Sequence, residues 1–86
     1  MIKVSEKYHP TGRQIAAART LIGMSQPELA DAASISVPTL RRMEASPGEA
    51  TGLANNVSAV QAALEAAGIE FIRPNGGGAG VRLVVE

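Results

Sequence analysis

The chain contains no cysteine, which excludes disulfide bonds, iron–sulfur clusters and zinc–thiolate sites. It also lacks an apolar run near the ~20 residues of a transmembrane helix, and residues 1–10 contain no apolar core of signal-peptide length. From these absences we expect a cytoplasmic protein with no membrane partner. With 86 residues, the chain is long enough for one small domain, and pairing with a second copy would be a natural source of stability.

Net charge is absent as well, because 8 lysine and arginine residues balance 8 aspartate and glutamate residues. The charges are nevertheless unevenly distributed. Residues 1–46 contain six basic and four acidic residues, whereas residues 47–86 contain two basic and four acidic residues. The first half of the chain is therefore the weakly positive half, which favours it as the place for an anionic partner such as a nucleic acid.

Apolar spacing and helix-capping residues predict three short helices in the first half. The predicted limits are residue 11 or 12 to residue 22, residues 26–33, and residue 37 to about residue 45. Ser25 and Glu28 have the spacing of a capping box at the start of the second helix, and Ser36 is placed to cap the third. A proline follows each of these two serines by two residues, in the first turn, where its missing N–H costs little.

The second and third helices have the pattern of a helix-turn-helix. Apolar residues recur at the spacing that buries one side of both helices, namely Leu29, Ala30, Ala33, Ile35, Leu40 and Met43. Polar residues are left to face outward, namely Gln26, Ser36, Thr39, Arg41 and Arg42. A second helix exposed in this way has the diameter to enter the major groove of DNA.

The second half of the chain predicts one more helix and then a change of period. Asn55 or Asn56 is expected to cap a fourth helix that Gly68 terminates. Its apolar face is expected to consist of Val57, Val60, Leu64 and Ala67. Residues 69–73 and 81–85 are predicted strands on either side of a glycine-rich loop. The expected fold is mainly α, with a C-terminal β-hairpin.

The string from Ser25 to Ala30 (SQPELA), within residues 12–44, resembles the λ-repressor-like (XRE/Cro-type) helix-turn-helix regulators. The resemblance extends over residues 11–67 and implies a DNA-binding domain of four to five helices. It also implies a transcriptional regulator, repressor or activator, that binds a palindromic operator as a homodimer. Residues 1–10 are then an N-terminal arm or short strand, and residues 68–86 a hairpin that serves dimerisation. The chain departs from the family at Ser34, where glycine is frequent, and at Ala45-Ser46, where Asn-Gly is frequent.

By this resemblance, the candidate DNA contacts lie at the start of the second helix and along the third. They are Gln26, Ser36, Val37, Pro38, Thr39, Arg41 and Arg42, with Arg13 as a further candidate from the first helix. Arg42 can donate two hydrogen bonds to guanine O6 and N7. Ser36 and Thr39 can hold phosphate oxygens, and Gln26 and Arg41 are also expected to contact phosphates. Val37 is either a contact to a thymine methyl group or an ordinary exposed valine.

The family also pairs an arginine of the first helix with a glutamate that ends the third. Arg19 and Glu44 occupy these two positions. We expect them to form a structural ion pair and not to contact DNA.

The predicted hairpin has apolar residues on both faces, and an isolated hairpin is marginally stable in water. These residues are Ile69, Phe71, Ile72, Val81, Leu83, Val84 and Val85. We expect the fourth helix to cover one face and a second chain the other, so that the hairpin, together with residues 1–4, forms the dimer interface. The alternative is that the hairpin only closes the core of the monomer.

No group of residues predicts catalysis, a metal or a cofactor. His9 has no second histidine, cysteine or acidic cluster nearby in the sequence, and the glycines of residues 76–80 do not open a helix as a phosphate-binding loop does. We therefore expect no enzymatic activity. The alternative function is that of an antitoxin or another protein-interaction module with the same fold, in which the hairpin binds a partner protein.

Overall fold

Four helices followed by a two-stranded hairpin form this mainly α domain, which confirms the predicted fold. The computed structural model describes residues 8–74 and 76–84. The elements are α1 (Gly12–Leu21), α2 (Gln26–Ala33), α3 (Val37–Glu44), α4 (Ala54–Ala66), β1 (Ile69–Ile72) and β2 (Gly80–Leu83). The strands are antiparallel, with Ile69 opposite Leu83 and Phe71 opposite Val81. The predicted strand of residues 1–4 and the hairpin residue Val85 lie outside the described residues.

The first three helices begin at capping residues, as predicted for two of them. Ser25 and Glu28 form the predicted capping box, and the Ser36 hydroxyl accepts the backbone N–H of Thr39. Thr11 and Gln14 form a second capping box at the start of α1, which was not predicted from the sequence. Because side-chain caps satisfy backbone N–H groups that the helix cannot, they determine where these helices begin.

The predicted start and apolar face of α4 need correction. The helix begins at Ala54, and its N-cap is Leu53, which makes no side-chain capping bond. The Leu53 carbonyl accepts the backbone N–H of Asn56 at 3.0 Å, so both asparagines lie inside the first turn and neither caps the helix. Ala67 is the C-cap residue and is exposed, so it does not belong to the buried face of α4. Gly68, at φ +104°, then turns the chain into β1.

One hydrophobic core joins the four helices and β1, and Val81 of β2 packs against it. Its buried residues are Ile15, Ala18, Leu29, Ala30, Ala33, Leu40, Met43, Val57, Val60, Leu64 and Ile69. The hairpin lies with β2 against α1 and β1 against α4. In the part of the chain that the structure describes, no helix is long and apolar enough to span a membrane.

Gln14 connects the start of α1 to the hairpin. The residue is only 4% exposed, and its Oε1 accepts the Tyr8 hydroxyl at 2.7 Å and the Thr11 backbone N–H at 2.8 Å. Its Nε2 donates to the carbonyls of Ile72 at 3.2 Å and Gly80 at 2.9 Å. The buried amide is therefore hydrogen-bonded at both ends, which a buried polar group requires.

Candidate nucleic-acid interface

The turn between α2 and α3 fixes the position of α3 on the domain. Ser34, at φ 57° and ψ 43°, adopts the left-handed conformation and ends α2. The backbone N–H of Ile35 then donates to the Ala30 carbonyl at 2.9 Å. On α3, Leu40 and Met43 are fully buried in the core. The inner side of α3 is therefore anchored, and its outer side is left to solvent.

The outer side of α3 carries several of the predicted DNA contacts. Ser36, Pro38, Arg41 and Arg42 are exposed, and Thr39 is half-buried. Val37 is also half-buried and packs against the hydrophobic core. The interpretation of Val37 as an ordinary exposed valine is therefore wrong, and only part of its side chain remains available to a thymine methyl group.

The two candidate hydroxyl groups, those of Ser36 and Thr39, take part in the cap of α3. The Ser36 hydroxyl donates to Thr39 Oγ1 at 2.8 Å and accepts the Thr39 backbone N–H at 3.2 Å. Because the Ser36 proton is used in this bond, Ser36 has no proton left for a phosphate oxygen. The Thr39 hydroxyl accepts from Ser36 and keeps its own proton. Of the two, Thr39 is thus the available donor.

The predicted ion pair is present at the opposite end of α3. Arg19 Nε donates to Glu44 Oε2 at 2.8 Å, and Arg19 Nη2 donates to Glu44 Oε1 at 3.2 Å. Arg19 Nη1 also donates to the Met24 carbonyl at 3.0 Å. The Glu44 side chain is 7% exposed and that of Arg19 is 19% exposed. The pair links α1 to α3 from a largely buried position.

Gln26 and Arg41 are joined to this ion pair, which sequence reasoning missed. Gln26 Nε2 donates to Glu44 Oε1 at 3.0 Å, and Arg41 Nε donates to Gln26 Oε1 at 3.3 Å. From the sequence, Gln26 and Arg41 are predicted to be separate phosphate contacts, 15 residues apart. No local pattern indicates their bond, because it depends on how α2 crosses α3.

The two other candidate arginines, Arg42 and Arg13, are exposed. No ion pair or side-chain hydrogen bond joins either guanidinium to a residue within the ranges 8–74 and 76–84. Arg13 follows Gly12, which packs so closely on the end of α3 that an added Cβ would lie 2.3 Å from the Met43 carbonyl. The backbone at Arg13 is therefore near the C-terminal end of α3 and away from its first turn.

Glu28 is the acidic residue at the start of α2. The Ser25 backbone N–H donates to Glu28 Oε1 at 2.8 Å. This hydrogen bond, with a smaller contribution from the Ser25 side chain, lowers the pKa of Glu28 below its ordinary value. The carboxylate is thus directed back toward the cap of α2.

The hairpin residues predicted to form the dimer interface occupy three environments. Ile69 is buried in the core of the monomer, and Phe71 and Val81 pack against that core. Ile72 is half-buried. Leu83 and Val84 are 45% and 47% exposed. The face with Ile69 thus packs on its own domain, whereas the opposite face carries the exposed Glu70–Arg82 ion pair, at 2.9 Å.

Away from α3, a groove of about 570 Å³ lies between residues 8–9, residues 49–54 and α4. None of the predicted site residues lines it. At its edge, His9 Nδ1 is 3.6 Å from Glu49 Oε2, and both side chains are exposed. Within the described ranges, no group of three histidine, cysteine, aspartate or glutamate residues could hold a metal ion.

Comparison with protein-family models and with curated protein sequences finds no match for this chain.

Proposed function

We propose that this chain is a sequence-specific regulator of transcription that binds double-stranded DNA through α3, in the manner of the λ-repressor-like proteins it resembles. One observation carries the proposal. The inner side of α3 is fixed in the core by Leu40 and Met43, while its outer side presents Arg41 and Arg42 to solvent. A helix held in this way is available to the major groove.

The exposed residues supply the chemistry that such a complex needs. In the proposed complex, Arg42 donates to a guanine edge and the Thr39 hydroxyl donates to a phosphate or a base. Arg41 and Gln26 contact the phosphate backbone. Arg13, near the end of α3, is a further phosphate contact.

Selection of binding sites from a pool of random duplexes tests this function. We expect an inverted repeat to be recovered, and Arg42→Ala to relax preference at one position in each half-site at a loss of about 1–3 kcal/mol. A uniform loss over all sequences would reduce Arg42 to a phosphate contact. If no duplex is retained even at low ionic strength, the proposal fails.

We further propose that the protein acts as a homodimer. Two copies related by a two-fold axis would place two α3 helices on half-sites about 34 Å apart. The exposed Leu83 and Val84, at the end of the hairpin, support an interface there.

Substitution of the exposed residues tests the dimer better than truncation of the hairpin, because truncation would remove Ile69 from the core. Leu83→Arg with Val84→Arg should give a monomer in sedimentation and weaken binding to the inverted repeat. Leu53→Arg is the control, since Leu53 is 69% exposed and lies outside the hairpin. A persistent dimer in the hairpin variant would exclude this interface.

A protein-interaction module, such as an antitoxin, is the second candidate. The exposed Leu83 and Val84 and the net charge of zero favour it. Co-purification with an unrelated chain that is lost in the Leu83→Arg, Val84→Arg variant, without retention of any duplex, would support this function over DNA binding.

A further inference from the structure

Arg19, Glu44, Gln26 and Arg41 form one continuous set of hydrogen bonds from the interior to the outer side of α3. Glu44 accepts from Arg19 and, through Oε1, from Gln26 at 3.0 Å. Gln26 accepts in turn from Arg41 at 3.3 Å. Burial decreases along the series, since Glu44 is buried, Gln26 is half-buried and Arg41 is exposed.

These bonds determine which way the Gln26 amide faces. A primary amide has a donor end and an acceptor end. Glu44 accepts from the donor end, so the oxygen is left to accept from Arg41. With Arg41 Nε occupied by this bond, the four N–H groups on its two terminal nitrogens remain, and Gln26 retains its second amide hydrogen.

The charges in this set are compatible with an anionic ligand. Arg19 balances the carboxylate of Glu44, so the set as a whole keeps one positive charge, that of Arg41. Two donor side chains from different helices, held together beside one net positive charge, suit a backbone phosphate of DNA.

We infer that Glu44 is a positioning residue for DNA binding: it orients Gln26, and through Gln26 it holds Arg41 against one phosphate. The inference rests on the proposed function and goes beyond it, because it makes Gln26 and Arg41 a single coupled contact, here termed the Gln26–Arg41 pair. It also gives Glu44 a role in addition to its ion pair with Arg19.

A double-mutant cycle on the full chain tests the coupling. Dissociation constants for a selected duplex are measured for the parent, Gln26→Ala, Arg41→Ala and the double variant. The loss from Arg41→Ala should be at least about threefold smaller when Gln26 is already alanine. Arg42→Ala is the matched control on the same helix. The dissociation constant of its double variant with Gln26→Ala should match, to within about twofold, the value expected if the two single effects are independent.

The dependence of binding on salt provides a measurement that a change in stability alone would not alter. Gln26→Ala removes no charge. If Gln26 holds Arg41 at a phosphate, the loss of the Gln26 side chain should nevertheless reduce the salt slope by up to about 0.9, the value for one phosphate contact.

A pair of double variants tests Glu44 itself while the domain stays folded. Arg19→Met with Glu44→Gln keeps an acceptor for Gln26, and Arg19→Met with Glu44→Leu does not, although both have the same net charge. We expect the first variant to keep the parental salt slope and the Gln26–Arg41 coupling, and the second to lose both. Thermal unfolding establishes that each is folded at the temperature of the assay.

The outcomes separate the two proposals. If the parent protein binds no duplex, the proposed function fails. If the parent binds but the cycle is additive, or Gln26→Ala leaves the salt slope unchanged, the coupling is overturned. If the two double variants bind alike with the same slope, the role of Glu44 is overturned.

Discussion

At the scale of single residues, Glu44 is a carboxylate that folding removes from water. Three hydrogen bonds reach it, two from Arg19 and one from Gln26. A buried charge is tolerated when it is paired in this way, but the loss of one partner leaves the other without compensation. Arg19 and Glu44 therefore matter to stability as a pair.

Arg19→Ala should lower the free energy of unfolding by about 2–4 kcal/mol, toward the lower end because Arg19 keeps some contact with solvent. Chemical denaturation measures the effect. Arg19→Met with Glu44→Leu should recover most of the loss, since it removes both charges together. If Arg19→Ala equals the parent in stability but changes the preferred DNA sequence, then Arg19 is a DNA contact and not a structural residue.

Ser34 and Gly23 offer a comparison of two left-handed residues at helix ends, at φ 57° and φ 70°. Ser34→Gly should raise the free energy of unfolding by about 0.5 kcal/mol, because relief of the left-handed strain exceeds the entropy that glycine loses on folding. Gly23→Ala should lower it by about 1 kcal/mol, although no atom within 4 Å would meet the new Cβ. Urea denaturation of both variants measures these changes and distinguishes backbone conformation from side-chain packing as their cause. A destabilising effect of Ser34→Gly, or a stabilising effect of Gly23→Ala, would contradict this explanation.

At the scale of elements, the accuracy of the sequence-based limits depends on whether a side chain caps the helix. The starts of α2 and α3 could be predicted because Ser25 and Ser36 cap them. The start of α4 was misplaced because Leu53 caps it through its backbone alone. A local side-chain signal existed in the first two cases, and none existed in the third.

Contacts that join distant segments had no such signal. Gln14 bonds to carbonyls 58 and 66 residues away in the sequence, and the pattern of α1 alone cannot indicate them. The Gln26–Arg41 pair is a similar case within the candidate site. The side chains on the outer side of α3 could be predicted from the sequence, whereas the hydrogen bonds that orient them could not.

The capping box of α2 predicts a dependence of stability on pH. The pKa of Glu28 is lowered in the folded protein, mainly by the Ser25 backbone N–H. Its contribution to stability is therefore present above its ordinary pKa of 4.5 and is lost as the pH falls through the lower folded value. Glu28→Gln keeps an acceptor for Ser25 and should lose less stability than the parent when melting temperatures are compared from pH 7 to pH 3. Parallel losses would contradict this assignment.

The hydrogen bonds of Gln14 are expected to strengthen the attachment of the hairpin to α1. Gln14→Ala should lower the free energy of unfolding by about 2–3 kcal/mol, because it leaves buried polar groups without partners. Amide hydrogen exchange should accelerate in β1 and β2 more than in α3. Thr11→Ala, which removes the neighbouring cap at a loss of about 1 kcal/mol, is the control and should not affect the strands selectively. Uniform acceleration in Gln14→Ala would exclude a specific role in attaching the hairpin.

At the scale of the whole molecule, size bears on the proposed function. The domain extends 33 × 28 × 22 Å, so its longest dimension is close to the ~34 Å between half-sites one helical turn apart. Because α3 has 8 residues, one copy could contact only a few base pairs in the proposed complex. With few basic residues to neutralise phosphates, a single copy should also bind weakly. These three observations favour a pair of domains on an inverted repeat.

Titration of the ¹⁵N-labelled protein with a duplex recovered by the selection tests most directly whether the outer side of α3 is the DNA interface. We predict the largest changes in backbone and side-chain NMR signals at Gln26 and in residues 36–42, with small changes in α4 and beside the groove at residues 8–9. Changes concentrated at the groove or the hairpin, with α3 unaffected, would contradict the account.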